Sequence, residues 1–566
     1  MVREVLQRDL SLLLRTFFKK SLGEISLEHP NVEDFGDFST NLALRDFGAL
    51  KEASKVEVKS PLELACKIAA LIERARLSDQ GFGYLSLVKV EPPGFINFYL
   101  SDTWLSGQLA QILAEGSSYG GPVKEVAQER SQIKYQVEYV SANPTGPLHI
   151  GNLRGGPVGD ALANVLAKAG YSVWREYYHN DVGGQVKKLG ESVLYWYKKH
   201  WDEPVSFPED GYQGAYVQDL AEGLVSREGR RYLGFDSDKA ATAFGKEAVA
   251  FFLKEALDFC QRLGINFDRV IKESEVVSKG RTKEALSTLQ KAGKLKEAGG
   301  AWWFAPADSY LKDRECVVIK SNGEYTYFSN DIGYHWDKFA QGFRVVIDVW
   351  GANHHGHVPR MRAAMAALGV DPERLKVVLY QWVRVRRGEQ VVSMSKRKGS
   401  FILAKEVLDE IGSDALRFSF LLKDAQTPLD FDLELVKKET EENPVYYVQY
   451  AHARMSSLLS RCPSSLEDIL QVESFAHLNK PSELRLIRHL LKYPELIEDI
   501  SRSYAVHQLT TYAISLADLF HQFYEECRVL GSGYLLERER LALVMAARKV
   551  LQDNLGLIGV STPERM

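Results

Sequence analysis

A chain of 566 residues with 45% apolar residues is too long for one hydrophobic core and too apolar for a disordered one, so about two to four globular domains are expected. A formal net charge of −4 argues against indiscriminate polyanion binding, although a local basic groove can still neutralise phosphates. No apolar stretch reaches membrane-spanning length. The five scattered cysteines, Cys66, Cys260, Cys316, Cys462 and Cys527, form neither a disulfide framework nor a paired zinc signature, which fits a reducing, cytoplasmic compartment.

In chain order, MVREVLQRDLSLLLRTFFKK mixes charges into an apolar stripe and lacks a small-residue cleavage site, so it predicts a surface helix rather than a signal peptide. A second helix follows at PLELACKIAALIERA, then two strand-like runs in YLSLVKVEPPGFINFYL divided by Pro92, Pro93 and Gly94. These make a small α/β unit over 1–115. From Ile133, IKYQVEYV alternates like a strand, and SANPTGPLHIGN is a loop that two prolines keep from being helical. GDALANVLAKAG predicts a helix closed by Gly170 before the strand-like YSVWREYY. Strand, glycine-bearing loop, helix and strand begin a doubly wound parallel sheet. Similar units recur at FRVVIDVWGANHHG and LKVVLYQWVRV. The unit spans 116–425, with a mainly helical insertion at about 190–300 between the two halves of the sheet. Strand signals nearly vanish after residue 425, and 426–566 reads as an all-α bundle.

Two segments suit nucleotide chemistry. His149-Ile150-Gly151-Asn152 falls outside the carboxyl end of the first strand, where a parallel sheet places ligands. Gly151 lets a flat ring approach the backbone, and His149 and Asn152 can donate hydrogen bonds at a helix start that favours phosphate oxygens. Taken alone, a loop histidine satisfied by its neighbours is the more ordinary reading. The second segment is Ser393-Met394-Ser395-Lys396-Arg397-Lys398-Gly399, whose three cations in four positions could stabilise charge developing on an α-phosphate or on pyrophosphate. A solvated basic loop is the bland alternative. No Walker A motif is present, which argues against P-loop hydrolysis.

Together, HIGN and MSKRKG resemble the paired signatures of class I aminoacyl-tRNA synthetases, usually HIGH and KMSKS. SANPTGPLHIGNLRG, YYHNDVGGQ, YTYFSNDIGYH, GANHHGHVPRM, GEQVVSMSKRKG, FDLELVKKETEENPVYYVQYAHAR and the terminal STPERM are similar to the arginyl-tRNA synthetase family in particular. GDFSTNLAL and PPGFINFYL resemble that family's own added N-terminal domain. The resemblance covers essentially the whole chain. It implies a class I synthetase catalytic domain with a Rossmann-like parallel sheet, an N-terminal added α/β domain touching the tRNA elbow, and a C-terminal all-α anticodon-binding bundle. The implied reaction is ATP-dependent ligation of L-arginine to tRNA(Arg), with Mg²⁺ accompanying ATP, no prosthetic group, no metal site, and a monomer. Two departures from the signatures are Asn152 at the second histidine and Ser393 at the first lysine.

By the same resemblance, His149, Asn152, Lys396 and Arg397 are catalytic. His149, Gly151, Asn152, His354, His355, Met394, Ser395 and Lys396 hold ATP. Glu138, Asn143, Tyr327, Asp331 and Asn353 hold the amino acid. Physical chemistry independently asks for a carboxylate here, because a guanidinium is planar, permanently charged and carries five donors in a fixed fork. Tyr327 and Asp331 are four apart, one turn if the chain is helical; a cap plus a packing aromatic is the alternative. The histidines at 354, 355 and 357 invite a metal reading, but adjacent ligands without a carboxylate or cysteine oppose it. For RNA, Tyr446, Tyr447, Tyr450, His452 and Arg454 are candidate anticodon-arm contacts, since exposed aromatics stack bases and arginine reads phosphates. Asn41 and Phe38 are candidates at the elbow. A noncatalytic synthetase-like RNA-binding protein is the alternative function, opposed by retention of both ligand segments.

Overall fold

The computed structural model describes residues 1–19, 23–30, 32–53, 58–78, 81–306, 315–388, 390–391, 402–462, 466–472 and 474–566. In the first helix, Val2–Phe18, apolar residues recur every four positions, so Leu6, Leu10, Leu14 and Phe18 line one buried face. A second helix, Pro61–Leu77, starts where Ser60 Oγ accepts the Glu63 amide and proline occupies the first turn. Both cover a sheet of β1 (Phe38–Thr40), β2 (Leu85–Glu91) and β3 (Phe95–Leu100), antiparallel in the order β1-β3-β2. Phe38 is buried within this sheet, so it cannot contact the tRNA elbow; its neighbour Asn41 is exposed.

The centre of the molecule is a five-stranded, all-parallel sheet. β4 (Lys134–Glu138), β5 (Ser172–His179) and β6 (Arg269–Lys272) occupy one half. A small antiparallel sheet of β7 (Leu295–Ala298), β8 (Ala301–Phe304) and β9 (Cys316–Ile319) intervenes before β10 (Val345–Gly351) and β11 (Leu375–Tyr380) complete the main sheet. The spatial order is β11-β10-β4-β5-β6. The chain therefore crosses from β4 to β5 on one side and returns to β10 on the other, leaving a crevice between the carboxyl ends of β4 and β10. Helix Gly155–Lys168 makes the first crossover and is buried along nearly its whole length, as a helix lying on an internal parallel sheet must be.

The helical interval expected over about 190–300 is interrupted. Helices Gly184–His200, Ala215–Glu228 and Ser237–Arg262 share a core of their own, but β6 then returns the chain to the main sheet. Four residues on a sheet edge, two of them charged, offer too little alternation to stand out in sequence. The first and third of these helices approach closely: a Cβ on Gly190 would come within 1.9 Å of the Ala241 carbonyl oxygen. A second strand was also hidden. β12 (Val383–Arg387), β13 (Gln390–Val391) and β14 (Leu429–Asp432) form a three-stranded sheet, so a strand does occur after residue 425, pairing parallel to β12.

Helices Pro444–Ser460, Pro481–Leu491, Tyr493–Ser503, His507–Glu526 and Tyr534–Leu557 build the carboxyl-terminal bundle. Ion pairs seat the first domain on it: Arg3 meets both oxygens of Asp499 at 2.7 and 2.9 Å, and His29 Nε2 lies 2.8 Å from Glu495. The fully buried Arg417 ties the bundle to the main sheet by donating to Asp160, to the Leu263 carbonyl at 2.8 Å and to the Ile558 carbonyl at 2.6 Å. No helix among the described residues is long and apolar enough to cross a membrane.

Candidate active site

The loop after β4 leaves the sheet through two strained residues, Val140 (φ +69°) and Ser141 (φ +37°), an unusual conformation for a β-branched side chain. It carries the exposed Asn143 and reaches His149, which caps the short helix Ile150–Leu153. The Ile150 amide donates to the Ile402 carbonyl at 3.2 Å, and the Ala404 amide donates to the Leu148 carbonyl at 2.9 Å. His149 and Leu403 thus form an antiparallel bridge. The HIGN segment and the chain just past the basic segment are joined backbone to backbone. Ser393, Met394, Ser395, Lys396, Arg397 and Lys398, and the side chain of Asn152, lie outside the described residues. A Cβ at Gly151 would come within 3.2 Å of His149 Nδ1, so glycine keeps this imidazole's position open.

Two residues past Asn152, Arg154 is wholly buried and pairs with no carboxylate among the described residues. Its guanidinium donates instead to four carbonyls, those of Gln381, Thr427, Lys423 and Asp424, at 3.3, 2.5, 3.1 and 2.8 Å. Burial pulls its pKa down to about 10. The rigid fork fixes the HIGN helix to the segment that enters the bundle. Arg154→Lys keeps the charge but offers one donating centre in place of a fork. A displacement of the HIGN segment by an ångström is expected to slow the chemistry at this crevice by about 10- to 100-fold, with substrate KM changed less than twofold, in single-turnover and steady-state measurements. A variant matching the parent rate removes this positioning role.

Helix Tyr327–Ala340 borders the other side of the crevice. Thr326 caps it, and Tyr327 and Asp331 stand one turn apart on it. Tyr327 is about half exposed (52%). Its hydroxyl packs on Gly183 (φ +98°), where an added Cβ would come within 3.1 Å. The Asp331 side chain is 30% exposed and pairs with His357 Nε2 at 3.1 Å. Trp350, at the end of β10, packs 5.5 Å from the His357 ring and 5.9 Å from the His354 ring. Burial of the ring, then His357, lowers the His354 pKa. Asn353 and His355 are exposed beside it, and a Cβ on Gly351 would meet Asn353 Oδ1 at 2.7 Å. Of the three histidines, His357 thus faces a carboxylate while His355 faces solvent. Among the described residues no group of three histidine, cysteine, aspartate or glutamate side chains gathers to hold a metal.

Beneath these residues lies a buried ionic layer that sequence reading did not find. Glu138 is 5% exposed, and its Oε2 accepts from Lys338 Nζ at 2.7 Å and Tyr334 Oη at 2.9 Å. Lys338 Nζ also donates to Asp348 Oδ1 at 3.0 Å, and the single Tyr334 hydroxyl proton is shared between Glu138 and Glu176, whose Oε1 lies 2.5 Å away. His335 sits between two acceptors, the Asp331 carbonyl at 2.7 Å and Asp348 Oδ2 at 2.9 Å. Both ring nitrogens must then carry protons, which makes it an imidazolium. Burial opposes that charge, but Asp348 outweighs it and raises the His335 pKa. Burial likewise pushes the Asp348 carboxyl up, while Lys338 and His335 more than reverse this and hold it at about 2. Burial raises the Glu176 pKa, opposed by Lys338 and the Tyr334 hydroxyl. Asp348 and Glu138 are register partners on adjacent strands. A charge in the middle of an apolar parallel-strand run, as in VVIDVW, was the available signal, because such a strand is covered on both faces.

On the bundle, Tyr446 and Tyr450 stack 6.3 Å apart with 8° between their planes, and Tyr450 stacks on His521 at 6.0 Å. Arg454 lies 5.9 Å from the Tyr450 ring and 4.1 Å from that of Tyr524. Tyr447 is committed to Asp518 at 2.8 Å. His452 is corrected: it is 2% exposed and bonds the Pro563 carbonyl, so it is a packing residue.

Three family models match in order: the arginyl tRNA synthetase N-terminal domain over residues 2–100, the class I tRNA synthetase (R) catalytic domain over 108–427, and the DALR anticodon binding domain over 448–566. The chain is 41% identical over 545 residues to an arginine--tRNA ligase of Dehalococcoides mccartyi, covering 96% of this chain and 94% of that one. The chain belongs to the arginyl-tRNA synthetase family. A family member from Syntrophotalea carbinolica is also 41% identical, over 96% of both chains. The solved Thermus thermophilus arginyl-tRNA synthetase covers both chains completely at a TM-score of 0.76 and 22% identity, which shows the same fold. Membership makes the chain a class I aminoacyl-tRNA synthetase by catalytic domain and implies ATP as a substrate.

Proposed function

We infer that this protein is an arginine--tRNA ligase that activates L-arginine with ATP and transfers it to tRNA(Arg), releasing AMP and pyrophosphate. The observation that carries this reading is the Asp331 carboxylate, presented with Tyr327 at the rim of the β4/β10 crevice opposite the HIGN segment. A guanidinium replaces His357 there as the partner of the carboxylate and adds a second hydrogen bond through its fork. Glu138 and Asn143 receive the amino and carboxylate ends, and Asn353 supports them. His149, Gly151, Asn152, His354 and His355 take the nucleotide. Met394 and Ser395 line the nucleotide, and Lys396 and Arg397 neutralise its polyphosphate.

The arginine carboxylate attacks the α-phosphate, and the terminal ribose hydroxyl of tRNA then attacks the resulting acyl-adenylate. No protein nucleophile is required; alignment and charge stabilisation lower the barrier. Mg²⁺ enters with the polyphosphate as part of the substrate. The chain is read as three units, 1–115, 116–425 and 426–566. The last receives the anticodon arm on Tyr446, Tyr450 and Arg454, whose stacked and cationic groups suit unpaired bases. The protein is taken to act as a cytoplasmic monomer. Pyrophosphate exchange measured across several amino acids, with and without tRNA, tests the reading. Exchange is expected with arginine alone among them, and only when tRNA is present. Exchange driven by lysine, or by no amino acid at all, overturns it.

A further inference from the structure

The loop that carries Asn143 and His149 is held at both ends by the catalytic domain. At the front, Ser141 Oγ accepts the Tyr178 amide of β5 at 3.0 Å. At the back, the Leu148 carbonyl accepts the Ala404 amide at 2.9 Å. Over residues 143–147 between these anchors, the one hydrogen bond among the described residues comes from the helical insertion. Tyr216 Oη donates to the Thr145 carbonyl at 3.0 Å. Thr145 stands two residues after Asn143 and four before His149.

The place of this phenol is specified from several sides. Tyr216 is the second residue of helix Ala215–Glu228, whose Val217, Ala221 and Leu224 sit in the core of the insertion. Its ring meets Phe252 of helix Ser237–Arg262 edge-on, 5.6 Å between centroids. A Cβ on Gly146 would come within 3.1 Å of the phenol, and one on Gly214 would run into the ring itself. Two glycines from separate parts of the chain thus clear room for one side chain. Burial raises the Tyr216 pKa to about 12, so the hydroxyl keeps its proton and stays a donor at neutral pH. Thr145 is only half-buried, and water could satisfy its carbonyl equally well. What Tyr216 adds is a fixed point in the middle of the loop.

We propose that Tyr216 is a positioning residue for the reaction: through the Thr145 carbonyl, the insertion sets the spacing between Asn143 at the arginine and His149 at the nucleotide. The proposal rests on the ligase reading above. Alignment of reacting groups counts for more in the transition state than in ground-state binding, so the residue acts on kcat rather than KM. The insertion is thereby part of the catalytic assembly. A direct contact to RNA suits this tyrosine less well, because its hydroxyl is engaged and its ring is packed on Phe252.

Tyr216→Phe keeps the ring and removes the donor, and Tyr216→Leu removes both. In arginine-dependent pyrophosphate exchange with tRNA present, Y216F is expected to lower kcat by about 3- to 10-fold, the range that one neutral hydrogen bond spans. The KM values for arginine, ATP and tRNA are expected to stay within about twofold, and the denaturant midpoint to stay unchanged. Y216L is expected to lower kcat further. Two readouts separate positioning from packing. Amide hydrogen–deuterium exchange over residues 141–149, followed without substrates, is expected to quicken in Y216F. In a double-mutant cycle with His149→Ala, Y216F is expected to cost less than about twofold, because the imidazole it aligns is gone. An unchanged kcat, full additivity in the cycle, unaltered amide exchange in the loop, or a kcat loss that tracks a lowered midpoint overturns the assignment. A raised tRNA KM at constant kcat overturns it in favour of an RNA contact. Absence of arginine-dependent pyrophosphate exchange by the parent protein sinks the ligase reading itself, whereas normal activity of the parent with Y216F indistinguishable from it sinks only the role of Tyr216.

Discussion

Asp331→Asn is expected to lower kcat/KM for arginine by roughly 30- to 5,000-fold, which corresponds to about 2–5 kcal/mol for truncating one partner of a hydrogen-bonded charge pair. Asparagine retains the shape and one acceptor but offers no charge and turns a donor toward a group that carries only donors. The partial exposure of Asp331 favours the lower end, because solvent screens the pair until substrate closes over it. The KM for ATP is expected to stay within threefold, since the nucleotide-binding residues belong to the β4 and β10 loops and the basic segment, not to the helix that carries Asp331. The matching change at the competing partner, His357→Gln, weakens the hold on Asp331 before substrate arrives and lowers arginine KM. An Asp331→Asn enzyme that charges arginine within threefold of the parent rate would place the guanidinium elsewhere.

Lys338→Met is expected to be the most destabilising single change in the ionic layer. It leaves Glu138 and Asp348, 5% and 0% exposed and neighbours in register, without the cation between them. Breaking a buried pair this way costs about 3–5 kcal/mol. It is read as a lower denaturant midpoint for the transition that reports the catalytic domain. The pH dependence carries the sign. In the parent, the Asp348 pKa is depressed, so its contribution is full above the usual carboxylate pKa and disappears as pH falls toward about 2. Without Lys338, the stranded carboxyls rise above their unfolded values, so the variant gains relative stability below that range and loses it as pH rises. Lys338→Met/Asp348→Asn is expected to recover part of the loss, because the two effects are not additive. An unchanged midpoint for Lys338→Met contradicts the buried-pair account.

Several site features were readable from sequence because the physics that makes them is local. Tyr327 and Asp331 share a helix face because four residues make about one turn, and Thr326 begins that helix with a side-chain cap. The HIGN loop could be placed at a strand's carboxyl end because two prolines and a glycine exclude other structures there. Phe38 and His452 show the limit of that reading. An aromatic or a histidine in a regular element has the same sequence signature whether it faces solvent or the core, and packing put both inside.

What the sequence by itself determined is the parallel crossover from β4 to β5 and the residue types a guanidinium and a polyphosphate demand; both follow from near neighbours in the chain. Tertiary structure alone decided which charges are buried together. Lys338 and Glu138 are 200 residues apart in sequence, and Arg154 grips carbonyls more than 220 positions away. A charge in an apolar run hints at its own desolvation but does not name its partner. Its partner is set by the register of β4 against β10, and register is a property of the assembled sheet.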